Sequence, residues 1–133
     1  MKIRPAKLIG LVLINLFLLV VSATAQQSKC YNYQETESSI AGKIERRNIS
    51  KKETIWILRL VSPACFAGGA ADGTDVPENN VRDLQLVLQP EEYRKYQPLV
   101  NKTVVVKGVF FHSHTAHHYT KVLLDVESIE PSR

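Results

Sequence analysis

Apolar and polar residues alternate along five stretches of this chain. Over Ser39 to Ile49, Ile40, Gly42 and Ile44 share one face, with Lys43 and Glu45 on the other. Thr54 to Val61 sets Trp56, Leu58 and Leu60 against Ile55, Ile57 and Arg59. Val81 to Leu88 sets Leu84, Leu86 and Leu88 against Asp83, Gln85 and Val87. Thr103 to His112 is β-branched and aromatic, and Lys121 to Ile129 sets Val122, Leu124 and Val126 against Leu123, Asp125 and Glu127. A period of two with one apolar face is what a half-buried antiparallel strand needs, so five strands are predicted. One short helix is predicted between the third and fourth. Pro90 suits its first turn, Glu91 and Glu92 favour its positive N-terminal end, and Pro98 stops it after about Gln97. Its stripe of Tyr93, Tyr96 and Leu99 must pack against the sheet, because so short a helix does not stand alone.

The residues from Ser62 to Asn80 include Pro63, Gly68, Gly69, Gly73, Pro77, Asn79 and Asn80, which predicts a long loop over 62–80. Cys65 is its one evident anchor, so a mobile insertion is expected rather than a functional lid. The order strand, strand, strand, helix, strand, strand fits a mainly β fold. The expectation is a small five-stranded OB-like barrel with one short helix between strands 3 and 4. Trp56, Leu58, Leu60, Leu84, Leu86, Leu88, Val122, Leu124 and Val126 would point inward, and Gly108 would mark a bulge. The competing architecture is a split α+β sheet with the helix on one face.

The first 25 residues change the picture of compartment. Lys2, Arg4 and Lys7 precede an apolar run of 14 residues from Leu8 to Val21, and Ala23-Thr24-Ala25 follows. This is the pattern of a secretory signal peptide cleaved after Ala25. The run falls short of the roughly 20 residues a membrane span needs. The alternative is an uncleaved N-terminal anchor. Cleavage would leave one domain, 26–133, with no stable membrane insertion, in the periplasm or secreted. The whole chain carries 17 basic and 13 acidic residues. Losing Lys2, Arg4 and Lys7 takes the basic count from 17 to 14 and the formal charge from +4 to +1. A nucleic-acid partner thereby loses its main support, a strongly positive surface. Cys30 and Cys65 both survive cleavage, and an exported chain with two thiols usually joins them. The alternative is two unpaired thiols.

All four histidines fall between His112 and His118. On an extended strand end His112 and His114 point the same way. A turn would bring His117 back opposite His114, close enough for two imidazoles to share a zinc or copper ion. The metal reading therefore takes His112, His114, His117 and His118 as ligands. Two other readings stay open: imidazoles that shape the loop by hydrogen bonding, and imidazoles that touch a ligand without metal. A catalytic histidine would need a positioned nucleophile or acid, and no G-x-S-x-G, H-E-x-x-H or paired-carboxylate arrangement is present.

The segments Trp56-Ile57-Leu58-Arg59-Leu60, Pro63-Ala64-Cys65, Val81 to Leu88, Lys107 to His112 and the string His112 to Thr120 together resemble the domain of unknown function 4431 family of bacteria. The resemblance runs through most of the chain after Thr54. It supports the fold and the exported compartment, and it implies no catalytic residue.

In an OB-like barrel the loop between the first two strands and the loop between the last two flank the usual ligand face. The first, over 46–52, holds Arg46, Arg47, Lys51 and Lys52, bordered by Glu45 and Glu53. The second is the histidine-rich loop 112–119, with Tyr119 at its end. Arg59, with Ile55 and Ile57 outward, would floor the site between them. The leading expectation is an exported, non-enzymatic binding module for an envelope component or another protein. Its ligand-binding residues would be Arg46, Arg47, Lys51, Lys52, Arg59, His112, His114 and Tyr119. The alternative is a zinc- or copper-binding protein, and a histidine-dependent hydrolase ranks third.

Overall fold

A computed structural model describes residues 30–34, 37–68 and 73–133 of the chain. The leader read over 1–25 lies outside the described residues. The element order is β1 (Tyr31–Asn32), β2 (Ser38–Asn48), β3 (Thr54–Ala67), β4 (Glu78–Val87), α1 (Pro90–Tyr96), a short 3-10 turn (Gln97–Leu99), β5 (Thr103–His112) and β6 (Val122–Pro131). The fold is mainly β with one short helix, and all six strands belong to one sheet. β2 pairs antiparallel with β3 and with β5. β5 pairs antiparallel with β6, β6 parallel with β4, and β4 antiparallel with β3. β1 adds to β3 in parallel at Phe66 and Ala67.

Two glycines allow strands to approach. Gly42 of β2 is registered with Leu60 of β3 and Val104 of β5 at once, and a Cβ there would lie 2.6 Å from the Arg59 carbonyl oxygen. Only glycine tolerates that backbone approach. Gly108 sits where the β5–β6 register shifts, as expected of a bulge, and its Cβ would collide with the Asp125 carbonyl oxygen.

The nine residues expected to point inward are all buried in the main core, joined by Ile40, Ile44, Val104, Val106 and Phe110. Helix α1 closes over them. Tyr93 meets Trp56 edge-on at 5.2 Å between ring centroids, and Tyr96 is buried. The Glu92 carboxylate accepts the Gln89 backbone N–H at 2.9 Å, which caps the first turn. A second group of rings joins Tyr31, Tyr33, Phe66 and Phe110, with centroids 5.0–6.0 Å apart. The Cys30–Cys65 disulfide lies beside them, with Cα atoms 4.7 Å apart, and links positions 35 residues apart.

Several expectations need correction. There are six strands rather than five, because β1 has only two residues and a two-residue strand leaves no period to read. The loop over 62–80 is shorter than expected, since β3 runs to Ala67 and β4 begins at Glu78. The β3–β4 register jumps between Arg59 and Ala64, so Pro63 falls in a bulged stretch that asks no ladder hydrogen bond of it. Cys65 is not the segment's one anchor. The Asp75 carboxylate accepts from Gln34 Nε2 at 2.7 Å and from the His112 backbone N–H at 3.3 Å, and the Tyr33 hydroxyl donates to the Val76 carbonyl at 2.9 Å. Arg46 and Arg47 lie within β2, not in a loop, and the turn proper spans 49–53. Ile55 and Ile57 are not exposed on an open floor: their exposures are 7% and 1%. β3 is therefore buried on both faces over Ile55 to Leu58.

Candidate functional site

Register places Ile57, Gln85 and Leu123 side by side across β3, β4 and β6, with Phe111 of β5 next in line. These positions face away from the main core. Leu123 and Ile57 are nonetheless as buried as any core residue, though they stand outside the core cluster. The segment 113–121 folds back onto this outer face, meeting it at Gln85 and Phe111.

Gln85 fastens that segment. Its Nε2 donates to the His117 carbonyl at 3.1 Å, and its Oε1 accepts the Tyr119 backbone N–H at 2.7 Å. Its own backbone N–H donates to Thr120 Oγ1 at 2.9 Å, and the Thr120 hydroxyl donates on to the Val122 carbonyl at 2.7 Å. Gln85 is the one buried polar residue among the described residues. A buried amide is tolerated when both ends are satisfied, and here both are. The base of the loop is closed by the Ser113 backbone N–H donating to the Lys121 carbonyl at 2.9 Å.

The four imidazoles do not converge on a point. His112 Nε2 lies 3.0 Å from Glu78 Oε1, and its Nδ1 lies 3.1 Å from the Ser113 carbonyl. Glu78 also pairs with Lys121 at 3.3 Å. The His112 hydrogen bond, followed by Lys121, holds the Glu78 carboxyl below its usual range against the effect of burial. His118, rather than the expected His117, faces His114: the ring centroids are 4.7 Å apart and nearly perpendicular. His118 Nδ1 accepts the His114 backbone N–H at 3.0 Å, and His114 Nδ1 reaches the His112 carbonyl at 3.1 Å. Both rings lie against Phe111. Burial first, then the charges of His114 and His117, push the His118 imidazole below its usual value. His117 is exposed and sits 3.7 Å from Glu53. Among the described residues no group of three or more His, Cys, Asp or Glu is placed to hold a metal ion.

The β2–β3 turn and the histidine-rich loop come into contact, but through an acid. The Tyr119 hydroxyl donates to Glu53 Oε2 at 2.7 Å, alongside the His117 approach. That hydrogen bond, then burial, holds the Tyr119 phenol above its usual range. The predicted basic residues are partly committed. Arg47 pairs with Asp83 at 2.9 Å, and Arg59 bridges Asp83 and Glu45 at 3.4 Å each. Arg46, Lys51 and Lys52 are exposed. A cavity of about 360 Å³ opens beside this junction, between Arg47, Arg82 and Asp83 on one side and Tyr119, Thr120 and Lys121 on the other.

Gln85, Glu53, Glu78, Arg82 and Lys121 were not legible as site residues. Gln85 reads as a solvent-facing position of an alternating strand, and its partners lie 32 to 35 residues away. The weak signal was Leu123, an apolar residue on the polar side of its strand.

Among the described residues no helix is long and apolar enough to cross a membrane. No curated protein matches the chain. The family described as "Domain of unknown function (DUF4431)" has a model that matches residues 83–130, so from Asp83 of β4 through β6 this chain is similar to that family, as the sequence indicated.

Proposed function

We propose that this chain is an exported, non-enzymatic binding module built on an OB-like five-stranded barrel. The pairings β3–β2–β5–β6–β4 and back to β3, with α1 between β4 and β5, support the barrel reading. Closure of that kind leaves β2 to β6 without a free edge, which suits a small domain. The observation that carries the binding reading is the contact at Glu53 between the β2–β3 turn and the histidine-rich loop. In an OB-like barrel those two loops flank the ligand face.

The leader pattern supports export, with release into the periplasm or the medium after Ala25. The partner is an envelope component or another protein. A formal charge near zero after cleavage argues against nucleic acid. The imidazoles serve as fasteners of a loop, with His112 tied to Glu78 and His118 to the His114 backbone, which supports a binding role over catalysis. The test is retention of the mature chain, 26–133, on purified envelope fragments. Retention is expected, with most of it lost in Arg46→Ala/Arg47→Ala. No retention of the parent chain contradicts the reading, and full retention of the double variant removes the basic residues from it.

The second reading, zinc or copper binding, rests on the His114–His118 pair at 4.7 Å. It requires stoichiometric metal at pH 7.5 that is lost near pH 5, as imidazoles protonate. It also requires loss of metal in His114→Ala and His118→Ala. Metal content indifferent to both substitutions contradicts it.

A further inference from the structure

We propose that the cavity between β4 and the end of the histidine-rich loop takes a saccharide carrying one carboxylate. This deepens the binding-module reading and rests on it. Three cationic side chains line the cavity, Arg47, Arg82 and Lys121. Two of them are already engaged, Arg47 with Asp83 and Lys121 with Glu78. The Arg82 side chain makes no hydrogen bond or ion pair among the described residues, so its planar fork is free for a carboxylate.

Its placement follows from a break in the strand. Alternation on β4 fails between Val81, which is buried, and Leu84, which is buried again. The β3–β4 register shifts over the same stretch, and Asn80 just before it has φ of 54°. Asparagine accepts this left-handed conformation more readily than most residues. The outcome is that Arg82 and Asp83 both reach the cavity, where regular alternation would send one of them inward.

The rest of the lining selects the ligand. Asn79 and Asn80 offer amide donors and acceptors suited to hydroxyl groups. Tyr119 stands in the wall with its backbone N–H held by Gln85 and its hydroxyl by Glu53, so its ring is fixed in place before a ligand arrives. Asp83 lies in the lining, and Glu78 and Glu53 stand directly behind Lys121 and Tyr119. Those acids disfavour phosphate chains and other polyanions. Arg82, the lining cation without a partner, balances one negative charge, and neutral hydroxyls fill the remainder. A volume of about 360 Å³ is at the small end for ligand sites, about 300–1,000 Å³, which limits the occupant to one or two sugar rings.

The test is a titration of the mature chain with D-glucuronate, followed by backbone amide NMR. Saturable shifts are expected at Asn80, Arg82, Tyr119 and Lys121. Glucose, which lacks the carboxylate, and the Arg82→Ala variant are each expected to bind at least about tenfold more weakly, with partial rescue in Arg82→Lys. Absence of saturable shifts, equal affinity for glucose, or an unchanged Arg82→Ala titration overturns the proposal. Acetate or inorganic phosphate binding as tightly as glucuronate also overturns it, since the site would then hold an adventitious ion only. Envelope retention separates the two levels. A failed glucuronate titration with retained parent chain removes the cavity assignment and leaves the binding module standing. A chain that binds glucuronate but is not retained does the reverse.

Discussion

The two faces of β3 are both dry, and they are dried by different means. On the inner face Trp56, Leu58 and Leu60 join a core built from the alternating residues of five strands. On the outer face Ile57 stands in register with Gln85 and, one strand further, Leu123, where Gln85 holds a loop from the far end of the chain. The inner cluster is apolar throughout and depends on many side chains. The outer one depends on a buried glutamine and three hydrogen bonds. A cluster of the first kind sets whether the domain folds, and one of the second kind sets where a loop sits.

The sharpest way to break that comparison is at the inner face. Phe110→Ala removes a ring packed on Tyr31 and Phe66 and is expected to cost about 3–5 kcal/mol, read as a lower urea midpoint. Reducing the Cys30–Cys65 bridge frees the segment that carries Tyr31 and Tyr33. It is expected to cost about 3 kcal/mol by thermal or urea unfolding and to leave the outer loop in place. Gln85→Leu acts on the outer face alone. It strands the His117 carbonyl and the Tyr119 N–H and is expected to cost about 1–3 kcal/mol, with the near-ultraviolet signal of the inner aromatics kept.

The smallest effect is that of pH. The His118 imidazole binds its proton less readily in the folded chain than in the unfolded one, because it is partly desolvated and near His114 and His117. The unfolded state therefore holds more protons, and stability rises with pH through this window. The contribution is complete above about pH 6.5, the ordinary histidine value, and is lost as pH falls through the lower folded one. An NMR titration should place His118 below 6.5 in the parent chain and return it toward 6.5 in Gln85→Leu. A His118 titration unmoved by Gln85→Leu would detach the imidazole from the clamp.

Much of the inner face was legible in the sequence. Its period of two follows from local backbone geometry, and Thr103 to His112 was bounded correctly because β-branched residues fill it. Gly108 announced a bulge for the same local reason. The outer face was not legible. Ile55 and Ile57 read as an outward floor, because the loop that Gln85 fastens next to Ile57 comes from far along the chain, and no short-range pattern carries that placement. The histidine string drew attention to the loop that Gln85 fastens. Which imidazoles meet depended on a turn geometry that lacks a glycine or Asn-Gly signature. The basic turn was read by its charge, yet Glu53, read only as a residue bordering it, makes the contact between the two loops.

The central claim is that Gln85 holds the histidine-rich loop on the outer face of the sheet. Amide hydrogen exchange at Tyr119, compared between the parent chain and Gln85→Leu, tests it most directly. The account predicts that Tyr119 protection falls by at least about tenfold while Phe110 and Leu124 keep theirs. Undiminished protection at Tyr119 in the variant would contradict it.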